Sequence, residues 1–278
     1  MLFGDFPVLV RGGGDIGTGV VMRLHRAGFP VIVCELDPPL TVRRQVAVST
    51  AVTEGVTEVE DLEAVRVEVR EAAEVAAGGR IPVVVGESLP DLDVTVVVDA
   101  RLAKRNIDTS IEDAPLVVGL GPGFTAGEDC HAVVETMRGH TLGRVYWEGT
   151  ALPDTGQPGV VRGRGGERVL RAPARGLVHW STEIGELVAE GEVLGHIVSP
   201  QGRFPITSPF TGLVRGQIAE RALVAEGYKV GDVDPRTDLE DVHLVSDKAL
   251  SVGGGVLEAV LVHLGRVRAG SAPEGPQG

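Results

Sequence analysis

Residues 7–36 read PVLVRGGGDIGTGVVMRLHRAGFPVIVCEL, and the fold turns on this stretch. PVLV (7–10) is a short apolar run of strand type. A glycine-rich turn follows. Ile16, Val20, Val21 and Leu24 then recur at helical spacing, and Gly28 stands where a helix C-cap would. PVIVCEL (30–36) is a second buried-type strand that carries Glu35 at its end. Gly12, Gly14 and Gly17 satisfy G-x-G-x-x-G. The first glycine permits the tight turn, the second lets backbone approach a phosphate, and the third allows close helix–sheet packing. Free N–H groups and the helix dipole favour an anion there. A tight strand–helix turn without a ligand has the same local sequence.

With Glu35 about 20 residues on, where ribose-binding carboxylates sit, the spacing predicts a Rossmann-like nucleotide site. Its candidate residues are Gly12, Gly13, Gly14, Asp15, Gly17, Thr18 and Glu35. Asp37 is a second acid nearby. Glu35 argues against a 2′-phosphate, whereas Arg43 and Arg44 argue for one, so NAD and NADP both stay open. Asp15 would repel a pyrophosphate unless it caps the helix or binds a metal.

Further along, residues 59–77 (VEDLEAVRVEVREAAEVAA) read at least partly as helix. IPVVV (81–85), DVTVVV (93–98) and PLVVGL (115–120) are continuous apolar β-branched runs. Such runs predict a parallel sheet covered by helices on both faces. In such sheets ligands bind outside the carboxyl ends of the strands. Two loops stand at those ends. Asp99, Arg101, Lys104 and Asn106 follow one strand, and their cations suit an anion. An ordinary solvated face is the competing reading. Gly121 and Gly123 follow the next strand. The three loops are expected to leave one sheet edge and form one cleft. Asp129 and Gly139 would bound a short helix, with Cys130 packed inside it or, if exposed near its start, a reactive thiolate.

The second half carries an internal repeat. Residues 171–197 align without gaps on 207–233, an offset of 36 with ten identities in 27 positions. Two similar β units predict a pseudo-symmetric sandwich or barrel. The repeat resembles the biotinyl/lipoyl-type barrel-sandwich hybrid. The modified lysine of that type has no counterpart here, because its place falls near Gln201. The resemblance therefore implies a barrel without covalent biotin or lipoate. After it, Val256, Leu257, Val260, Leu261 and Leu264 form one helical apolar face.

Expected boundaries are 1–145 for the Rossmann-like domain, 146–245 for the β domain, 246–266 for a C-terminal helix packing on the first domain, and 267–278 for a disordered tail. Two cysteines in 278 residues point to a reducing cytoplasm rather than a disulfide framework. No run reaches the ~20 apolar residues of a membrane span, and the N-terminus lacks a signal-peptide pattern. The net charge of -13 disfavours nucleic acid as a partner. It leaves room for a local cationic pocket.

RGGGDIGTGVVMRLHRAGFPVIVCEL, LTVRRQVAVS, DARLAKRNIDT, GLGPGFTAGEDCHAVVETMRGHTLGRV and SDKALSVGGGVLEAVL together resemble the YqeB-type accessory proteins, over about residues 8–262. The resemblance implies maturation of selenium-dependent, xanthine-dehydrogenase-like molybdenum hydroxylases. It also implies a nucleotide or molybdopterin-type dinucleotide as ligand, and the hydroxylase apoenzyme or other maturation factors as partners. A homo-oligomer is compatible with it. The alternatives are an NAD-dependent oxidoreductase, which would need an acid–base pair that is not evident, and a pure interaction protein.

Overall fold

The computed structural model describes residues 1–156 and 163–270. The central sheet contains β1 (Val8–Arg11), β2 (Val31–Glu35), β3 (Val56–Val59), β4 (Leu62–Arg66), β5 (Ile81–Val85), β6 (Val96–Asp99) and β7 (Leu116–Leu120). After the short β8 (Thr125–Ala126) it gains β9 (Ala132–Val134) and β10 (Val145–Tyr146). Its order is β10-β9-β7-β6-β1-β2-β5-β4-β3. Neighbours from β9 to β4 run parallel, and the outermost strand at each edge runs antiparallel. β8 pairs separately with β11 (Gly149–Thr150).

Successive residues of β1 point to opposite faces, so two cores form. Val8 and Val10 join Val31, Val33, Val96 and Val98 beneath α1 (Asp15–Arg26) and α5 (Asp247–Arg268). Leu9 joins Ile32, Val97 and Val117 on the other face, beneath α3 (Val69–Ala77), Phe124 and Cys130. The two long helices cross at glycines. A Cβ on Gly19 would overlap the Ala249 carbonyl, and one on Gly253 would overlap that of Gly19. The helical stretch Glu240–Arg268 is long and apolar enough to cross a membrane. Here Ala249, Val252, Val256, Ala259 and Val260 of this stretch are buried in the core.

The second half forms two four-stranded antiparallel sheets. One has the order β12-β19-β17-β14 and the other β16-β15-β13-β18. The strands are β12 (Val169–Arg171), β13 (Gly176–Trp180), β14 (Leu187–Val188), β15 (Val193–Ser199), β16 (Gly202–Thr207), β17 (Gly212–Gln217), β18 (Leu223–Val224) and β19 (Lys229–Asp234). The 36-residue repeat is visible strand by strand, since β13, β14 and β15 begin 36 residues before β17, β18 and β19. Gln201 stands at the turn of the β15–β16 hairpin beside Ser199.

This architecture corrects the expected fold class. The expected Rossmann-like parallel sheet is instead a mixed nine-stranded sheet, with α1 and α5 on one face and α3 on the other. The barrel-sandwich hybrid is instead a pair of separate antiparallel sheets, with no strand pairing between them among the described residues. The edge strands explain the first change. Within 59–77 the burial of Leu62–Arg66 alternates, with Leu62 and Ala64 inside and Glu63 outside. That period of two makes a strand, and only Val69–Ala77 is helical. A tight turn at Glu60 and Asp61 then forces β3 and β4 to run antiparallel. The segment after Asp129 is the strand β9 rather than a helix. Its Ala132, Val133 and Val134 are all buried, as a strand enclosed on both faces requires. Within the predicted tail, α5 continues to Arg268, and residues 271–278 lie outside the described residues.

Residues 42–44, after β2, hold the second half onto the central sheet. The Gln217 N–H donates to the Val42 carbonyl at 2.8 Å, and Arg44 Nε donates to the Gln217 carbonyl at 2.8 Å. This docking leaves a space between the loops of the central sheet and the antiparallel sheets.

Candidate anion-binding site

The glycine turn comes first in the chain. Gly12 has φ +99°, a left-handed conformation that glycine adopts without cost. A Cβ on it would press on Ala100 at 3.0 Å. A Cβ on Gly17 would overlap the Gly12 carbonyl, so Gly17 serves packing. Gly14 is the N-cap of α1 and meets only Thr41 Oγ1, at 3.5 Å. Gly13 N donates to Glu35 Oε2 at 2.8 Å, and Leu36 N donates to Glu35 Oε1 at 2.8 Å. Burial pushes the Glu35 carboxyl up, although both N–H groups favour its charged form. The carboxylate expected to read a ribose thus already serves the turn as an internal anion. Thr18 is buried. Its hydroxyl donates to the Gly14 carbonyl at 2.9 Å and accepts from Val48 N. Asp15 lies 3.6 Å from Arg43 Nη1.

The other two loops do leave the same edge, because β1, β6 and β7 are parallel neighbours. They meet, and they bond to one another. Asp99 is 1% exposed and is clasped by Arg101, while Thr109 Oγ1 donates to it at 2.6 Å. Arg11, equally buried, donates to Thr109 Oγ1 and Asp108, and Asp108 also pairs with Arg101 at 2.7 Å. Asn106 Nδ2 donates to the Thr109 carbonyl and to Asp129. Gly121 and Gly123, at φ +75° and +108°, pack against Thr136 and the Arg105 backbone. Arg11, Asp108 and Thr109 were not among the sequence candidates. This knot of opposite charges braces the sheet edge. Cys130 is fully buried, and burial pushes its thiol up to about 12. It is therefore not a nucleophile at neutral pH.

The open space lies one step away. A cavity of about 990 Å³ sits between the sheet-edge loops, the start of α5 and the antiparallel sheet of β12, β17 and β19. Lys104 is the one sequence candidate on its wall. Lys104, Arg138 and Lys248 contribute cations from the sheet and helix side. Arg168, Arg171, Arg215, Lys229 and Arg236 contribute them from the β side. Five carboxylates oppose these eight: Glu135, Asp154, Asp232, Asp241 and Asp247. Several are committed elsewhere. Glu135 is buried, and its oxygens accept from the N–H groups of Thr136, Met137 and Leu152. Lys104 pairs with Asp154 at 2.7 Å and Arg138 with Asp247 at 2.8 Å.

Beneath the wall Asp234, 2% exposed, gathers three arginines: Arg236 at 2.8 Å, Arg215 at 3.3 Å and Arg168 at 3.6 Å. Burial opposes its charge, but Arg236 and Arg215 hold its carboxyl below the usual range. Asp232 also pairs with Arg168 at 3.3 Å, and Asp241 with Arg236 at 3.2 Å. The buried Nε atoms of Arg168 and Arg215 have no hydrogen-bond partner among the described residues. Burial, and then the neighbouring Arg43, pull the Arg215 guanidinium down to about 10. In a chain of net charge -13, this concentration of cations is a local departure from the chain's overall charge.

No family model matches the chain. Among solved structures it is similar to an aspartoacylase family protein from Mesorhizobium loti, with 12% identity, 82% of this chain and 84% of that one covered, and a TM-score of 0.28. It is also similar to the product-bound ectoine utilization protein EutE (DoeB) from Ruegeria pomeroyi, with 12% identity, 81% and 56% covered, and a TM-score of 0.23. Scores this low carry no functional argument. In sequence it is 46% identical, over 259 residues, to the uncharacterized protein YqeB of Escherichia coli (strain K12), covering 92% of this chain and 47% of the relative. The chain is therefore similar to YqeB along nearly all of its own length, and it spans about half the length of that relative.

Proposed function

We propose that this chain binds a phosphate-bearing small molecule of nucleotide type, in the cavity between the sheet-edge loops and the antiparallel sheets. The observation that carries this reading is the wall itself. Eight cations stand against five carboxylates, and Arg168 and Arg215 have buried Nε atoms without partners among the described residues. Planar guanidinium groups suit phosphate oxygens. Leu102, Pro122, Met137, Leu152, Val169 and Leu244 add apolar surface for the uncharged part of such a ligand.

The finer role is proposed on the sequence resemblance. The chain would serve the maturation of selenium-dependent molybdenum hydroxylases in the cytoplasm, and its ligand would be a nucleotide-bearing molybdenum cofactor. Native mass spectrometry of freshly purified protein tests the ligand class. The expected result is a bound phosphorylated species released by unfolding. A bare chain that also fails to bind added nucleotides would contradict the reading. Adding purified hydroxylase apoenzyme tests the partner, with complex formation expected.

A further inference from the structure

The chain has 26 basic Lys and Arg residues, and only three of them are lysines: Lys104, Lys229 and Lys248. All three line the cavity described above. Elsewhere the chain uses arginine throughout, so a charge alone does not account for these positions. Lysine differs from arginine in one decisive respect. Its ammonium is deprotonated when its surroundings disfavour the charge, whereas a guanidinium stays protonated.

The three lysines have different surroundings. Lys104 is paired with Asp154, and Lys229 is exposed. Lys248 is half-buried, and its ammonium makes no hydrogen bond or ion pair among the described residues. It occupies the first turn of the 22-residue helix α5, just after the N-cap Ser246. A cation there opposes the positive end of the helix dipole. The charged groups acting on it are Asp15 and Glu135, which favour its ammonium, and Arg138 and Lys104, which oppose it. Burial is the largest influence, and the balance lowers its proton affinity below that of an ordinary lysine. A desolvated lysine beside other cations is the recurring setting of amines that attack carbonyl carbon.

We propose that Lys248 is a nucleophilic amine that condenses with the carbonyl group of an anionic ligand held in this cavity. The proposal rests on the reading of the cavity as an anion site, and it adds the carbonyl to the ligand's chemistry. Neutral Nζ, its proton given to solvent, attacks the carbonyl carbon, and the C=O π pair moves to oxygen. The carbinolamine then loses water and leaves an imine. No electrons are gained or lost. The guanidinium groups of Arg168 and Arg171 on the opposite wall would hold the ligand's anionic group.

Pyridoxal 5′-phosphate, an aldehyde with a phosphate, is a direct probe. The folded chain is mixed with it, reduced with borohydride and mapped by peptide mass spectrometry, with the Met1 amine as internal reference. The expected result is an adduct at Lys248 formed at least tenfold faster than at Lys104 or Lys229, and suppressed by inorganic pyrophosphate. Its rate should reach half-maximum at lower pH than that of the other two lysines. Lys248→Arg should abolish the adduct in a chain that still unfolds cooperatively. Even labelling, or labelling led by Lys229, would overturn the proposal. If pyrophosphate binds but Lys248 is not preferred, this inference alone fails. If pyrophosphate neither binds nor protects, the anion reading of the cavity fails with it.

Discussion

Gly13 N donates to the Glu35 carboxylate at 2.8 Å, across 22 residues of sequence. The glycine turn therefore carries its own anion. The strand–turn–helix geometry that elsewhere receives a phosphate is closed here by a side chain from the end of β2.

Removing that side chain should cost stability rather than affinity. Glu35→Ala leaves two N–H groups without their acceptor, and a loss of about 2 kcal/mol is expected in denaturant unfolding. The pH dependence has a definite sign. Burial raises the folded-state pKa of Glu35, so its contribution is fully present below about pH 4.3 and is lost as pH rises through the folded value. Glu35→Gln should flatten that part of the stability profile. An unchanged profile would mean that the carboxyl is not buried as described.

The glycines of the turn should separate in their tolerance. Gly17→Ala places a Cβ onto the Gly12 carbonyl, whereas at Gly14 the nearest atom is Thr41 Oγ1 at 3.5 Å. Thermal unfolding should show a loss of roughly 3 kcal/mol or more for Gly17→Ala, and under 1 kcal/mol for Gly14→Ala. Equal effects would refute the packing role of Gly17.

Asp234 is the hub of the cavity floor. Asp234→Asn takes from Arg215 its carboxylate partner, while Arg168 keeps Asp232 and Arg236 keeps Asp241. Breaking such a buried cluster from one side costs about 3–5 kcal/mol. Chemical unfolding of the variant checks this, and a change below 1 kcal/mol would show that Asp232 and Asp241 suffice to balance the cluster.

Both cysteines should be silent in the native state. Cys34 and Cys130 are buried and unpaired, and at about 12 the Cys130 thiol supplies almost no thiolate at pH 8. A thiol reagent should label neither until denaturant is added. Rapid native labelling of Cys130 would contradict its burial.

The legible parts of this molecule were those with local periodicity. β1, β2 and α1 follow from the apolar runs and glycines of residues 7–36, and the 36-residue repeat maps onto paired strands. The edge strands were not legible. Leu62–Arg66 mixes Glu and Arg with apolar residues, and in a short window this resembles a helix as much as an edge strand. At the site, the loops at the sheet edge were located, but the pairing of Arg101 with Asp99 and Asp108 was not. A cation read from sequence shows no sign of whether the fold has already neutralised it. The cavity wall combines residues from 104 to 248, and no spacing rule joins such distant positions. The scarcity of lysine was the one sequence signal that marked it.

Calorimetric titration with inorganic pyrophosphate tests the central claim most directly. Arg171 and Lys229 lie on the cavity wall and make no buried ion pair, and Arg171 donates only to the exposed Gly227 carbonyl, so Arg171→Gln/Lys229→Gln is expected to keep the fold. The account predicts saturable one-to-one binding by the unaltered chain. It also predicts at least tenfold weaker binding by the double variant, with the difference widening as ionic strength falls. Absence of binding by the unaltered chain, or equal affinity of the two proteins at low salt, would contradict it.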